Sequence, residues 1–271
     1  MRTTLVTGAT GELGRLVVAR LLAGRHQTRI LSHSHAPSAA EGVEVVAGDL
    51  VSGEGLPEAV AGVDAIIHIA SDSRAPQAVD VTGSQRLLAA ARASGGDSQP
   101  PHMIYISIVG IDRSASPYYQ AKYAVENLIA ESGLPWSVLR ATQFHSFAEN
   151  ILHALEIDPL ADAQAPVIVP DGVRLQPVAS EEVAERLVAL AELGPISHVA
   201  QMGGPEALTV EALARAYLRA RGRAERVQVG EVQVAPRMAS LFAAFRTGLN
   251  LTPEHGFGLT SWADYLQRKY H

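Results

Sequence analysis

The chain contains no cysteine and only two lysines, Lys122 and Lys269, against twenty arginines. Without cysteine there are no disulfides and no thiolate chemistry, which suits a reducing compartment. No apolar run is long enough to cross a bilayer. The opening Met1-Arg2-Thr3-Thr4-Leu5-Val6 runs straight into a strand-like segment and lacks the pattern of a secretory signal. A cytoplasmic protein is therefore expected. The formal charge of -6 offers no electrostatic case for nucleic acid or for an anionic membrane surface as partner. The ten histidines show no metal-ligand spacing, so no metal is expected. No internal repeat or low-complexity segment is present, and nothing in the sequence specifies an oligomeric state. A GC-rich coding bias accounts for the arginines but leaves the mid-chain Lys122 unexplained. A lysine kept where arginine is the habit suggests that a compact ammonium is needed there.

With 271 residues, 47% of them apolar, the chain is long enough for one large α/β domain or one domain with an appendage. Short apolar runs at Thr4–Thr7, Thr28–Leu31, Val43–Ala47, Ala65–Ala70, Met103–Ser107 and Ser137–Arg140 read as buried strands. Helical patterns lie between them. Leu13, Leu16, Val17 and Leu21 share one face, and Gly24 stands where a C-terminal cap belongs. Leu87, Leu88 and Ala91 belong to a second helix ending near Gly95-Gly96. Val125, Leu128 and Ile129 lie on a third. Alternating strands and helices predict a Rossmann-like, doubly wound parallel sheet of order 3-2-1-4-5-6. Gly96-Asp97-Ser98-Gln99-Pro100-Pro101 reads as a surface loop. The pattern loosens near residue 155. Helices resume at Glu181–Leu193 and Val210–Arg221, followed by a strand-like Val227-Gln228-Val229. The expected division is a dinucleotide-binding domain over 1–155 and a smaller, irregular substrate-side region over 156–271.

Thr7-Gly8-Ala9-Thr10-Gly11-Glu12-Leu13-Gly14 follows the first strand and opens the first helix, the context a dinucleotide fingerprint requires. Glycines allow a sharp turn and close approach to a pyrophosphate, and the helix N-terminus offers N–H groups and positive dipole. The alternative is a tight turn with no ligand. An NAD enzyme places an acidic residue about twenty residues further on, for the ribose hydroxyls. Here no carboxylate occurs between Glu12 and Glu41; the second strand leads instead into Ser32-His33-Ser34-His35, and Arg15 follows the last glycine. These groups suit a 2′-phosphate, so NADP is the expected cofactor, with NAD the alternative. Asp49, followed by Leu50, closes the third strand. It either meets an adenine amino group or caps the next turn. Ala70 ends the fourth strand and Ser71 follows it, on the cofactor side.

Ser116-Pro117 reads as an N-cap followed by proline at the first helical position. Tyr118 then lies in the first turn, with Lys122 one turn on along the same face. Ser107 ends the preceding strand, at the sheet edge where ligands bind in doubly wound folds. Reducing a carbonyl by hydride leaves an alkoxide that must be protonated. A tyrosine of pKa about 10 becomes a useful acid-base when an ammonium favours its phenolate, and a serine hydroxyl can hold the substrate oxygen. The plainer alternatives are a half-buried tyrosine and an exposed Lys122–Glu126 pair.

These residues resemble the short-chain dehydrogenase/reductase superfamily, and most of all its atypical, NmrA-like branch. The resemblance covers nearly the whole chain. It rests on Thr7–Gly14, Asp49, Ile106-Ser107-Ile108-Val109-Gly110, Tyr118-x-x-x-Lys122 and Leu139-Arg140-Ala141-Thr142-Gln143-Phe144. It implies that Lys122 bonds the nicotinamide ribose, Tyr118 donates the proton, Ser107 orients the carbonyl, and Thr142, Gln143 and Phe144 line the cofactor end. Where the classical branch carries Asn-Ala-Gly, this chain has Ile69-Ala70-Ser71, and no asparagine completes the classical relay. NmrA-like members often lack the tyrosine, keep the lysine, and reduce quinones directly; some are redox sensors without turnover.

Two functions follow: an NADPH-dependent reductase of a carbonyl or quinone, or a regulatory protein that binds NADP without turnover. His68 reads as a core histidine. His145, Phe147 and Asn150 are candidates for a substrate pocket. The arginines at 215, 219, 221, 223 and 226 read as a solvated face near a helix C-terminus.

Overall fold

The computed structural model describes residues 2–33, 41–95, 99–155 and 166–271. In chain order the elements begin β1 (Thr3–Thr7), α1 (Glu12–Ala23), β2 (Gln27–Ser32), β3 (Val43–Ala47), α2 (Leu56–Val60) and β4 (Ala65–His68). A π-helical turn, Gln77–Thr82, runs into α3 (Gly83–Ser94), followed by β5 (His102–Ile108), α4 (Pro117–Ala130), β6 (Trp136–Ala141) and α5 (His145–Leu155). Then come β7 (Val167–Pro170), β8 (Arg174–Leu175), α6 (Ser180–Leu193), β9 (Val199–Met202) and β10 (Leu208–Thr209). The remaining elements are α7 (Val210–Ala220), β11 (Val227–Gly230), α8 (Pro236–Arg246) and α9 (Trp262–Tyr270).

The main sheet has seven strands in the order β3-β2-β1-β4-β5-β6-β9. β1 runs parallel to β2 and β4, β2 to β3, and β4 to β5. The fold is thus the expected α/β, Rossmann-like sheet, extended by a seventh strand beyond β6. Val199–Met202 carries a glutamine and is partly exposed along most of its length, so it lacks the apolar run that marks the inner strands. β4 stops two residues earlier than its apolar run suggests. The N–H groups of Ile69 and Ala70 turn to the Thr7 hydroxyl at 3.2 and 3.3 Å.

The chain forms two compact units, both discontinuous in sequence. The first comprises Met1–Ser107, Pro117–Arg140 and Ser180–Ala200; the second comprises Ile108–Ser116, Ala141–Ala179 and Gln201–His271. The first unit's core gathers Leu5, Ile66, Leu87, Tyr105 and Val125 from strands and helices alike, and α6 packs on α1. The second has its own core of Ile151, Leu213, Tyr217, Phe242 and Trp262. Its α7 buries Val210, Leu213, Ala214, Tyr217 and Leu218, the spacing of one helical face. Its α9 opens on a capping box in which Ser261 and Asp264 satisfy each other's backbone.

Gly24 occupies the C-terminal cap of α1, as its position suggests. The left-handed residue is its neighbour Arg25, at φ 57°. Arg25 N–H donates to Leu22 O and His26 N–H to Leu21 O, the bonding pattern that usually places glycine at that left-handed position. Arg25 is exposed and its conformation is costly for a residue with a Cβ. Arg25→Gly should therefore raise the unfolding free energy by about 0.5–1 kcal/mol, read by urea denaturation. A destabilised variant would contradict this account of the α1 terminus.

Candidate functional site

Three glycines shape the turn between β1 and α1, and packing requires only two of them. A Cβ on Gly8, whose φ is +71°, would lie 2.7 Å from Ala70 N. One on Gly14 would lie 2.1 Å from Gly8 O, where helix and turn touch. Gly11 has φ -73° and ψ 174°, open to any residue, and a Cβ there would meet only Gly8 O at 3.4 Å. Gly11 is also the N-cap of α1, with no side-chain cap. The N-cap thus offers the leading N–H groups of the helix no side-chain acceptor, and no Cβ of its own stands in front of them. That cradle fits a pyrophosphate. Arg15 braces the turn by donating to Thr10 O at 2.7 Å. Glu12, which brings a carboxylate into the first turn, accepts a bond from the Ser180 hydroxyl.

Thr7 ties the turn to the end of β4. Its hydroxyl oxygen accepts from Ile69 and Ala70 N–H, leaving its one proton for His68 Nδ1 at 2.7 Å. His68 then donates from Nε2 to Ser84 Oγ at 2.9 Å. Burial pushes the His68 pKa down to about 3, with the Lys122 charge acting in the same direction, so the ring is neutral. His68 is a core histidine, as its setting in an apolar strand suggests.

Lys122 is not in an exposed pair with Glu126. It is 3% exposed, and Glu126 gives both carboxylate oxygens to Arg140 at 2.9 and 2.7 Å. The planar guanidinium matches that carboxylate better than an ammonium does. Lys122 Nζ instead donates to Tyr105 OH at 2.8 Å, lies 4.5 Å from that ring's centroid, and stands 3.9 Å from Asp80 Oδ1. Burial lowers its pKa to about 8, while Asp80 and Glu126 pull the other way. Tyr118 is half-buried on α4, one turn before Lys122, with its OH 3.0 Å from Ser71 Oγ. Ser71 in turn donates to Asp80 Oδ1 at 2.6 Å. Ser107 ends up 2% exposed near the end of β5, and among the described residues its hydroxyl has no partner. A buried hydroxyl without a protein partner suits a ligand atom.

The first unit thus brings together Thr7, the glycine turn, Ala70, Ser71, Ser107, Tyr118 and Lys122. Sequence reasoning missed two members of the group, Asp80 and Tyr105. Tyr105 could have been found from β-strand periodicity, being two residues before Ser107 and on its face. Asp80 had no comparable signal, because a π-helical turn shifts the facing residues off the ordinary helical spacing.

Several other candidates bond within the protein, and others are exposed. Asp49 accepts from Val51 N–H at 2.7 Å and Ser52 N–H at 3.2 Å, which is the turn-capping arrangement. His33 is exposed, 3.6 Å from Asp49, and Leu50 is buried. Ser34 and His35 lie outside the described residues, as do Gly96, Asp97 and Ser98 of the expected loop. In the second unit Thr142 donates to Gln176 O at 2.6 Å, and Gln143 donates to Asn250 O at 3.1 Å. Phe144 bridges to Val178. His145 is buried and stacked on Tyr265 at 4.8 Å, whereas Phe147 and Asn150 are exposed on α5, so these three share no single environment. Arg215 and Arg219 of the basic cluster pair with Glu211 and Glu225.

A family model described as NAD(P)H-binding matches residues 8–165, more than half of the chain. The chain is 30% identical over 250 residues to (4-alkanoyl-5-oxo-2,5-dihydrofuran-3-yl)methyl phosphate reductase of Streptomyces griseus, covering 89% of this chain and 81% of that one. The fold is shared with the NADPH-dependent quinone oxidoreductase of Escherichia coli in complex with NADPH, at 21% identity and a TM-score of 0.81, over 99% of this chain and 100% of that one. It is also shared with the Citrobacter triphenylmethane reductase in complex with NADP(H), at 20% identity and a TM-score of 0.77, over 99% and 100% of the two chains.

The two kinds of glycine can be separated by experiment. Gly11→Val should keep the melting temperature within a few degrees while weakening nicotinamide-dinucleotide binding at least about tenfold. Gly14→Val should lower stability by more than about 2 kcal/mol, because its Cβ would strike backbone. Titration of each variant with NADPH, together with thermal melts, checks both. Undiminished binding by Gly11→Val would remove the pyrophosphate from that turn.

Proposed function

This chain belongs to the NAD(P)H-binding family, and from that premise we propose that it is an NADPH-dependent reductase of a small carbonyl or quinone, in the atypical short-chain dehydrogenase/reductase branch. The observation that carries the reading is the grouping of Ser107, Tyr118 and Lys122 in one unit with the glycine turn, the buried Ser107 hydroxyl having no partner among the described residues. When bound, the reduced nicotinamide supplies a hydride. The residues supply the rest. Gly8, Thr10, Gly11 and the opening of α1 at Glu12, Leu13 and Gly14 receive the pyrophosphate. Lys122 bonds the nicotinamide ribose through the protons its ammonium does not share with Tyr105. Ser107 holds the substrate oxygen, and Tyr118 gives that oxygen its proton once negative charge develops there.

NADPH is favoured over NADH by the sequence between Glu12 and Glu41, which has no carboxylate to hold a bare ribose hydroxyl or to repel a 2′-phosphate. The Streptomyces relative is named as a reductase, and the two structural neighbours are NADPH or NADP(H) complexes, which supports the same choice.

Titration followed by nicotinamide fluorescence should show NADPH binding at least about tenfold tighter than NADH. Negligible binding of both would sink the reading. In a screen of carbonyls and quinones, Lys122→Ala should lose most of its cofactor affinity. Tyr118→Phe should keep that affinity and lose carbonyl reduction by about 100-fold. Full carbonyl reduction by Tyr118→Phe would show that the tyrosine is not the acid. NADPH binding without turnover of any acceptor would favour a redox sensor instead.

A further inference from the structure

One carboxylate faces both halves of the proposed acid-base pair. Asp80 is 1% exposed and sits in the π-helical turn Gln77–Thr82. Its Oδ2 accepts from Asp72 N–H at 3.1 Å, and its Oδ1 accepts from Ser71 Oγ at 2.6 Å and faces Lys122 Nζ at 3.9 Å. Ser71 has one hydroxyl proton, and the 2.6 Å bond to a carboxylate takes it. What Ser71 then offers Tyr118, 3.0 Å away, is a lone pair, so the phenol donates. In the free protein the phenol's one proton therefore points at Ser71, and through that one intervening atom Asp80 fixes where the Tyr118 oxygen stands; the proton turns from Ser71 to the substrate oxygen when negative charge develops there.

The same carboxylate faces the ammonium. Besides Asp80, the groups around Lys122 are Glu126 and Tyr118 on its own helix, Tyr105 on β5 and His68 on β4. Glu126 is already matched by Arg140 in a two-bond pair. His68 is neutral, and burial holds the Tyr105 hydroxyl far above its ordinary pKa, so it stays a neutral acceptor. Among these groups Asp80 is the one carboxylate left to balance a charge in a nearly sealed site.

We propose that Asp80 is a positioning residue for the reduction: it is the counter-charge of Lys122 and, through Ser71, it holds the Tyr118 oxygen in place. The Tyr118 half rests on the reductase reading above, whereas the Lys122 half can be tested in the free protein. With only two lysines in the chain, lysine labelled with ¹³C at Cε gives two signals, and Lys122→Arg assigns them. In the wild type the Lys122 signal should titrate near pH 8, the ammonium being present below that value and lost above it. In Asp80→Asn the midpoint should fall by about one pH unit or more, because burial is then opposed by Glu126 alone. Ser71→Ala should leave the midpoint where it is and lower kcat for NADPH-dependent reduction of phenanthrenequinone at least about tenfold, with the KM for NADPH held. A wild-type midpoint in folded Asp80→Asn would overturn the proposal. Should that variant fail to fold, Asp80→Ser, which also removes the charge, serves in its place, and an unmoved midpoint there overturns the proposal equally. Undiminished turnover by Ser71→Ala would overturn the placing of Tyr118. Absence of turnover by the wild type itself would sink the reductase reading, while the titration would still decide the role of Asp80.

Discussion

A buried ammonium is the constraint around which the first unit is arranged. Lys122 has almost no contact with water, and an unpaired charge in such a place would shed its proton. The protein answers with a small, balanced group. Arg140 and Glu126 neutralise each other in a fork-to-fork pair, which leaves Asp80 facing Lys122. Tyr105 accepts one ammonium proton through its hydroxyl and turns the face of its ring to the same charge. Each of these choices follows from keeping a compact cation charged where solvent does not reach. The scarcity of lysine elsewhere in the chain fits this: a guanidinium would need a larger, flatter space and a different set of acceptors.

The second constraint is the close approach of backbone at the carboxyl edge of the sheet. Gly8 lies against Ala70, and the Thr7 hydroxyl accepts from the N–H groups of Ile69 and Ala70 where β4 ends, Ile69 N–H being shared with Thr7 O. The hydroxyl that does this also fixes the tautomer of His68, and His68 passes the order on to Ser84 at the start of α3. α3 continues directly from the π-helical turn that carries Asp80. The glycine turn and the turn that presents the carboxylate are therefore connected by a short run of hydrogen bonds. Neutrality of His68 is part of that run, since a charged ring would donate at both nitrogens and lose the proton offered by Thr7.

Much of this was legible in the chain. The inner strands β2, β1, β4, β5 and β6 follow from short apolar runs because strands buried on both faces leave little polar alternation to confuse them, and the half-buried edge strand β3 follows from its valines. The glycine turn and the Tyr118–Lys122 spacing were legible because each is local, contained within a single turn or one helical repeat. β9 was not, since an outer strand with a glutamine and partial exposure resembles any loop. The interleaving of the two units was hidden as well. Ser180–Ala200 belongs to the first unit, and no local pattern records which core a helix will join. Asp49 could be read in two ways from its position, and only the geometry shows its carboxylate on the Val51 and Ser52 amides.

Taken alone, the sequence determined the α/β alternation, the glycine turn between β1 and α1 and the placing of Lys122 one helical turn after Tyr118, because these depend on residue types at short spacing. Tertiary structure decided which charges meet. Asp80, Tyr105 and Lys122 come from three elements that are distant in sequence, and the pairing of Glu126 with Arg140 in place of Lys122 depends on how α4 and β6 pack. A contact between distant segments is set by the packing of whole faces, and side-chain spacing along the chain carries no record of it.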